Sequence, residues 1–212
     1  MQLIGMLDSP YVRRVAVSLQ LLGLPFEHRS ISVFRGFDAF QQINPVVKAP
    51  SLVCDDGEVL MDSGLILEYA EALAAPGRSL MPADISARQH ALRTLGLALA
   101  ACEKSVQIVY ERNIRPPEKQ HAPWLQRVAG QMHAALQLLE ADVQQRGLAA
   151  RPGRIDQAVL TTAVTWRFAL ALVPDQFGEA DYPALRALST GAEAQPEFRR
   201  APHSEAVYPQ PI

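Results

Sequence analysis

Three short stretches carry residue types and spacings suited to chemistry on a small polar ligand. The first is Lys48-Ala49-Pro50. A residue before proline is pushed into the extended region, so Ala49 presents its N–H and C=O like an edge strand. An extended ligand can pair with such an edge by β-augmentation. A cis Pro50 would fix the edge more tightly. The second stretch is Asp62-Ser63, just ahead of the apolar Leu65-Ile66-Leu67. Ser63 suits an N-cap or a first helical turn, where free backbone N–H groups attract a carboxylate. Asp62 beside it suits an ammonium. Carboxylate and ammonium together describe an amino-acid head group, so the expected ligand is an extended peptide ending in one. The third stretch, Asp8-Ser9-Pro10, reads first as a helix start: a capping residue, then proline at the first helical position.

These stretches need elements to hold them. Gln2 to Leu7 reads as a buried strand. Val12, Val15, Ala16, Leu19 and Leu22 then recur at helical spacing, with Gly23 as the stop. Phe26 to Ser32 reads as a second strand, and Phe34 to Ile43 as a loop with a short helix. Ser51 to Cys54 and Val59 to Met61 flank an Asp-Gly turn and predict a hairpin. A helix over Ser63 to Ala74 follows. The helix between the first two strands implies a parallel crossover, and the hairpin adds an antiparallel edge. This α/β arrangement of a small mixed sheet with helices is thioredoxin-like.

Residues 76–85 carry two prolines and a glycine and read as a linker, dividing a domain at 1–75 from an all-α domain at 86–212. In the second domain the pattern predicts helices over Ser86 to Asn113, from Pro123 to Gly147, over Asp156 to Leu172, and from Pro183 to a stop at Gly191. Asp156 is the candidate cap of the third of these. The tail, with Pro196, Pro202, Pro209 and Pro211, is expected to be irregular.

Composition narrows the function classes. Of 212 residues, 49% are hydrophobic and 20% charged, the balance of an ordinary soluble globular protein. The net charge of −2 offers no footprint for nucleic acid or an anionic membrane. No stretch reads as a signal peptide or a membrane span. Cys54 and Cys102 form no short redox or metal pair, and a cytoplasmic, reducing location fits them. The five histidines are scattered, with no pairing suited to a metal.

Taken in order, Ser9-Pro10-Tyr11-Val12-Arg13-Arg14-Val15, then Asn44-Pro45 through Lys48-Ala49-Pro50, then Asp62-Ser63, resemble the cytosolic glutathione transferase family. The likeness spans nearly the whole chain, and its specific part lies in the first half. It implies a serine-type, bacterial-like member with glutathione as co-substrate and no metal. By that resemblance Ser9 would face the glutathione sulfur, Ala49 would pair with the cysteinyl backbone, and Pro50 would be the family's cis-proline. Asp62 and Ser63 would hold the γ-glutamyl ammonium and carboxylate, and Lys48 would reach the glycyl carboxylate. Tyr11 and Tyr110 are candidates for the electrophile pocket or for packing. Trp166 reads as core. Val47 stands where the family often has glycine.

The implied chemistry is addition of a thiolate to a small apolar electrophile. A free thiol has a pKa of about 8.5. Lowering it by about two units takes roughly 2.7 kcal/mol of preferential thiolate stabilisation. A hydrogen bond to a charged acceptor supplies about 1.5–3 kcal/mol, and a helix N-terminus up to ~1 kcal/mol more. Ser9 would then act as a hydrogen-bond donor, not a nucleophile, or as nothing more than a cap. The resemblance also implies a homodimer. Two alternatives stay open: a non-enzymatic binding or regulatory protein of the same fold, and a glutathione-dependent peroxidase or isomerase.

Overall fold

The structure, a computed structural model, describes residues 1–205. The chain forms two compact units: Met1–Leu80 with the segment that starts at Ala194, and Met81–Glu193.

The first unit is built on four strands, β1 (Gln2–Ile4), β2 (Glu27–Arg29), β3 (Ser51–Val53) and β4 (Val59–Met61), in the order β2-β1-β3-β4. β1 and β2 are parallel, with Leu3 opposite His28. β3 runs antiparallel to both neighbours, placing Ser51 opposite Ile4 on one side and Met61 on the other. The Asp-Gly turn joins β3 to β4: Gly57 takes a positive φ of 91°, and Asp56 Oδ1 accepts from the Glu58 N–H at 3.0 Å. That side-chain bond is the local reason the chain reverses there. β1 is shorter than the expected Gln2–Leu7 because Gly5, at φ 133°, turns the chain out of the sheet. β2 likewise covers only the middle of Phe26–Ser32.

Helix α1 (Pro10–Leu22) is the crossover between β1 and β2. Its apolar stripe of Val12, Val15, Ala16 and Leu19 is fully buried. Gly23 ends it in the left-handed conformation, where its N–H caps the Gln20 and Leu19 carbonyls. The short α2 (Phe37–Gln41) and then α3 (Ser63–Leu73) complete the thioredoxin-like part.

The tail is not irregular throughout. Pro196 opens a short helix, α8 (Pro196–Arg200), with proline in its first turn. Its end is tied to α1 by a buried guanidinium: Arg13 Nε donates to the Ala201 carbonyl at 2.7 Å, and the group sits over the Phe198 ring. Pro209 and Pro211 lie outside the described residues.

The second unit is all helical: α4 (Ile85–Asn113), α5 (Ala122–Arg146), α6 (Gln157–Leu172) and α7 (Pro183–Glu193). α6 is buried along most of its length and packs against α4 and α7. Asp156 caps it, accepting from the Val159 N–H at 2.8 Å. α7 runs through Gly191, which is not the stop expected. A Cβ there would lie 3.3 Å from the Ala150 carbonyl oxygen, so this glycine serves a close backbone approach. Trp166 belongs to the core, packed on Phe177 and Tyr182. No helix among the described residues is long and apolar enough to cross a membrane.

Candidate functional site

Ser9 is the N-cap of α1, extended at φ −71° and ψ 123°. Its Oγ accepts from the Val12 N–H at a long 3.4 Å. Capping engages a lone pair and leaves the hydroxyl hydrogen to donate elsewhere. Beside it, burial pushes the Asp8 carboxyl up, Glu205 adds to the rise, and the Ser9 N–H and Arg35 oppose it. Glu205 reaches this region because Arg35 Nη2 holds its carboxylate at 2.5 Å and Ser30 Oγ donates to its carbonyl at 3.0 Å.

The Ala49-Pro50 peptide bond is cis. Pro50 is buried and Ala49 half-buried. Among the described residues neither the N–H nor the C=O of Ala49 has a hydrogen-bond partner. The edge is therefore open, although the sheet begins two residues later. Two side chains shape this loop through three hydrogen bonds. Asn44 Nδ2 donates to Ser51 Oγ at 2.8 Å, Ser51 Oγ donates to the Lys48 carbonyl at 2.8 Å, and Asn44 Oδ1 accepts from the Val46 N–H at 3.0 Å. Val47 sits at φ 52°. It takes up the backbone conformation glycine would favour, at a cost in strain that a β-branched residue feels strongly.

Asp62 is the N-cap of α3, and Ser63 is its first residue. Asp62 Oδ1 accepts from the Gly64 N–H at 2.8 Å. Asp62 too has a positive φ, 73°. Burial alone would raise its carboxyl, but the Gly64 N–H and the Lys48 ammonium outweigh that and hold it below the usual range. Ser63 is buried, and its Oγ accepts from Arg14 Nη1 at 3.1 Å. Its own hydrogen is left to donate to a further acceptor, beside the Ser63 N–H that opens α3.

The structure brings several of these residues together. Lys48 Nζ lies 3.5 Å from Asp62 Oδ2. Gly5 links Ser9 to the Ala49 edge. A Cβ on Gly5 would lie 2.6 Å from Val12 Cγ2, on the residue that Ser9 caps, and 3.1 Å from the Ala49 Cβ. Tyr11 stands in the first turn of α1, in the first unit, and Tyr110 is exposed on α4, in the second.

Sequence reasoning passed over Gly5, Arg14 and Asn44. Asn44 and Arg14 stood inside the quoted motifs, but no spacing tells which side chain they serve. Gly5 left no signal beyond being a glycine at a strand end. Cys54 is no alternative nucleophile: it is buried, and burial pushes its thiol up against the opposing contact with Tyr69. Among the described residues no group of His, Cys, Asp and Glu is placed to hold a metal ion.

Comparison with known proteins shows which family the chain is in. Residues 3–78 match the family model for the glutathione S-transferase N-terminal domain. The uncharacterised GST-like protein YibF of Escherichia coli K12 is 30% identical over 141 residues, 66% of this chain and 68% of that protein. The chain belongs to the glutathione transferase family. This glutathione transferase homologue is also 28% identical to the maleylacetoacetate isomerase of Pseudomonas aeruginosa over 197 residues, 89% of each chain. Among solved structures it is similar to a glutathione transferase family member of Pseudomonas fluorescens Pf-5 with bound glutathione. There the TM-score is 0.80 and the identity 29%, over 100% of this chain and 99% of that one. A glutathione S-transferase of Methylobacterium radiotolerans in complex with glutathione sulfonate gives a TM-score of 0.79 at 27% identity, over 100% and 96%.

Proposed function

We propose that this protein is a serine-type glutathione transferase that joins the thiolate of glutathione to small apolar electrophiles. The observation that carries the reading is the Ala49 edge, a backbone N–H and C=O left without partners beside a cis proline. That is the surface an extended cysteinyl residue pairs with. Asp62 takes the γ-glutamyl ammonium, the Ser63 hydroxyl and backbone N–H take its carboxylate, and Lys48 takes the glycyl carboxylate. Glutathione bound to the Pseudomonas fluorescens relative supports the same ligand here. Ser9 donates to the sulfur while its oxygen caps α1, so the hydroxyl and the helix N-terminus both favour the thiolate. Tyr11 and Tyr110 are the candidates for contact with the electrophile.

The protein acts in the cytoplasm in detoxification, and its two buried cysteines, joined in no disulfide, fit a reducing compartment. It works as a homodimer. Leu65, Tyr69 and Leu73 form an exposed apolar stripe at four-residue spacing on α3 that suits a subunit contact.

A second reading, glutathione-dependent isomerisation, draws on the likeness to maleylacetoacetate isomerase over 89% of the chain. Two measurements decide between the readings. Retention on immobilised glutathione is expected under both and excludes a fold relative without ligand. Conjugation of an activated aryl halide, assayed beside cis–trans isomerisation of a maleyl compound, is expected to favour conjugation. Retention with neither activity would leave a binding protein.

A further inference from the structure

Two side chains of opposite charge, each given a different end of the ligand above, face one another. Lys48 Nζ and Asp62 Oδ2 are 3.5 Å apart, with the side chains about half exposed, 51% and 50%. Both are held in place. Asp62 is fixed as the cap of α3, with Oδ1 engaged by the Gly64 N–H. That turns Oδ2 toward a cation. The backbone of Lys48 is fixed by Ser51 Oγ on its carbonyl, and Ser51 by Asn44. The lysine therefore occupies the place where a ligand ammonium is to bind.

We propose that Lys48 and Asp62 form a latch that selects ligands charged at both ends. The inference rests on the reading that Asp62 receives the γ-glutamyl ammonium. An entering ammonium displaces Lys48 from Asp62. The long flexible stem of the lysine then carries its charge to the distal carboxylate of the same ligand. A ligand with both charges exchanges one ion pair for two. A ligand with the ammonium alone breaks the pair and leaves Lys48 to water, so it is disfavoured. The chemical class selected is an extended peptide with a free ammonium at one end and a free carboxylate at the other. Discrimination comes as much from the cost of opening the pair as from the two new ion pairs that replace it.

The test uses the full-length protein and two probes, glutathione and its glycyl monoethyl ester, which lacks the distal charge. Both are titrated calorimetrically into wild type and Lys48→Met. The substitution is expected to weaken glutathione binding. It is expected to tighten the ester by roughly twofold to fivefold, the range of an exposed ion pair, because Asp62 is no longer masked. If the ester binds the variant no better than wild type, the latch is overturned and Lys48 is an ordinary contact. That result leaves the glutathione reading standing. If wild type binds neither probe, that reading falls and the latch with it. Lys48→Gln, which keeps a polar side chain, is expected to behave as Lys48→Met. Asp62→Asn is expected to abolish the gain when combined with either.

Discussion

Arg14 and Ser63 are 49 positions apart in the chain and 3.1 Å apart in space, with the guanidinium of one donating to the hydroxyl of the other. Both are buried. The bond ties the first turns of α1 to the start of α3, and so ties the Ser9 end of the site to its Asp62 end.

One consequence concerns affinity. If Arg14 orients the Ser63 hydroxyl toward a ligand carboxylate, the two act as a unit. Ser63→Ala and Arg14→Gln are each expected to raise the dissociation constant for glutathione by about tenfold or more, the worth of a hydrogen bond to a charged group. The double variant should be little worse than either single one. Fully additive losses in a binding titration would show that Arg14 supports the fold and not Ser63.

Ser9 gives a kinetic prediction. Ser9→Ala removes the donor to the sulfur and keeps the rest of the cradle. Turnover in a conjugation assay should fall more than tenfold while glutathione still binds. The pH–rate profile should also move to higher pH, because the bound thiol is harder to ionise. Unchanged turnover and an unchanged profile would reduce Ser9 to a helix cap.

The two backbone outliers beside the ligand edge should respond in opposite directions. Val47 holds φ 52° with a β-branched side chain. Left-handed backbone costs an ordinary residue roughly 1–2 kcal/mol, against about 0.5–1 kcal/mol for the added freedom of glycine in the unfolded chain. Val47→Gly should therefore leave the urea midpoint level or raise it slightly. Gly5→Ala should lower the midpoint, with a loss of unfolding free energy of about 2 kcal/mol, the scale of overpacking, because the new methyl meets Val12 at 2.6 Å in a backbone conformation side chains rarely adopt. A clear loss of stability in Val47→Gly would mean that its side chain is needed more than its strain is felt.

His28 gives a pH dependence. It is buried on β2, with Nε2 hydrogen-bonded to the Gly5 carbonyl at 2.6 Å. Burial holds its pKa below the ordinary 6.5, against the smaller opposing effect of that carbonyl. The folded protein thus stays neutral at His28 where the unfolded chain takes up a proton. This contribution is complete above the ordinary histidine range and is lost as pH falls through it, with a slope of at most about 1.4 kcal/mol per pH unit. His28→Gln keeps a donor for Gly5 and removes the titration. Urea unfolding at pH 7.5 and 5.5 should show a smaller difference in the variant than in wild type. Equal differences would remove His28 as the source.

Much of the first unit was legible because its signals are local. Ser9 with Pro10, Gly23, the Asp-Gly turn and the residue before Pro50 each act on backbone within a few positions. Asp156 capped its helix for the same reason. What stayed hidden depends on chain segments meeting from far apart. Lys48 facing Asp62, Arg14 under Ser63 and Gly5 against Ala49 are facts of packing, and no periodicity encodes them. Gly191 shows the same limit in reverse: a glycine near a helix end reads as a stop until the backbone pressed against it is seen. Pro196 misled because proline both breaks helices and begins them.

The buried guanidinium of Arg13 has a consequence for how the molecule is made. Its acceptor on Ala201 is 188 residues downstream. During synthesis the early sheet and its first helix emerge while that partner is still untranslated, so the first unit waits for completion on a segment made 188 residues later. A fragment ending at Leu80 would leave Arg13 without the Ala201 and Phe198 carbonyls and without the ring it sits over.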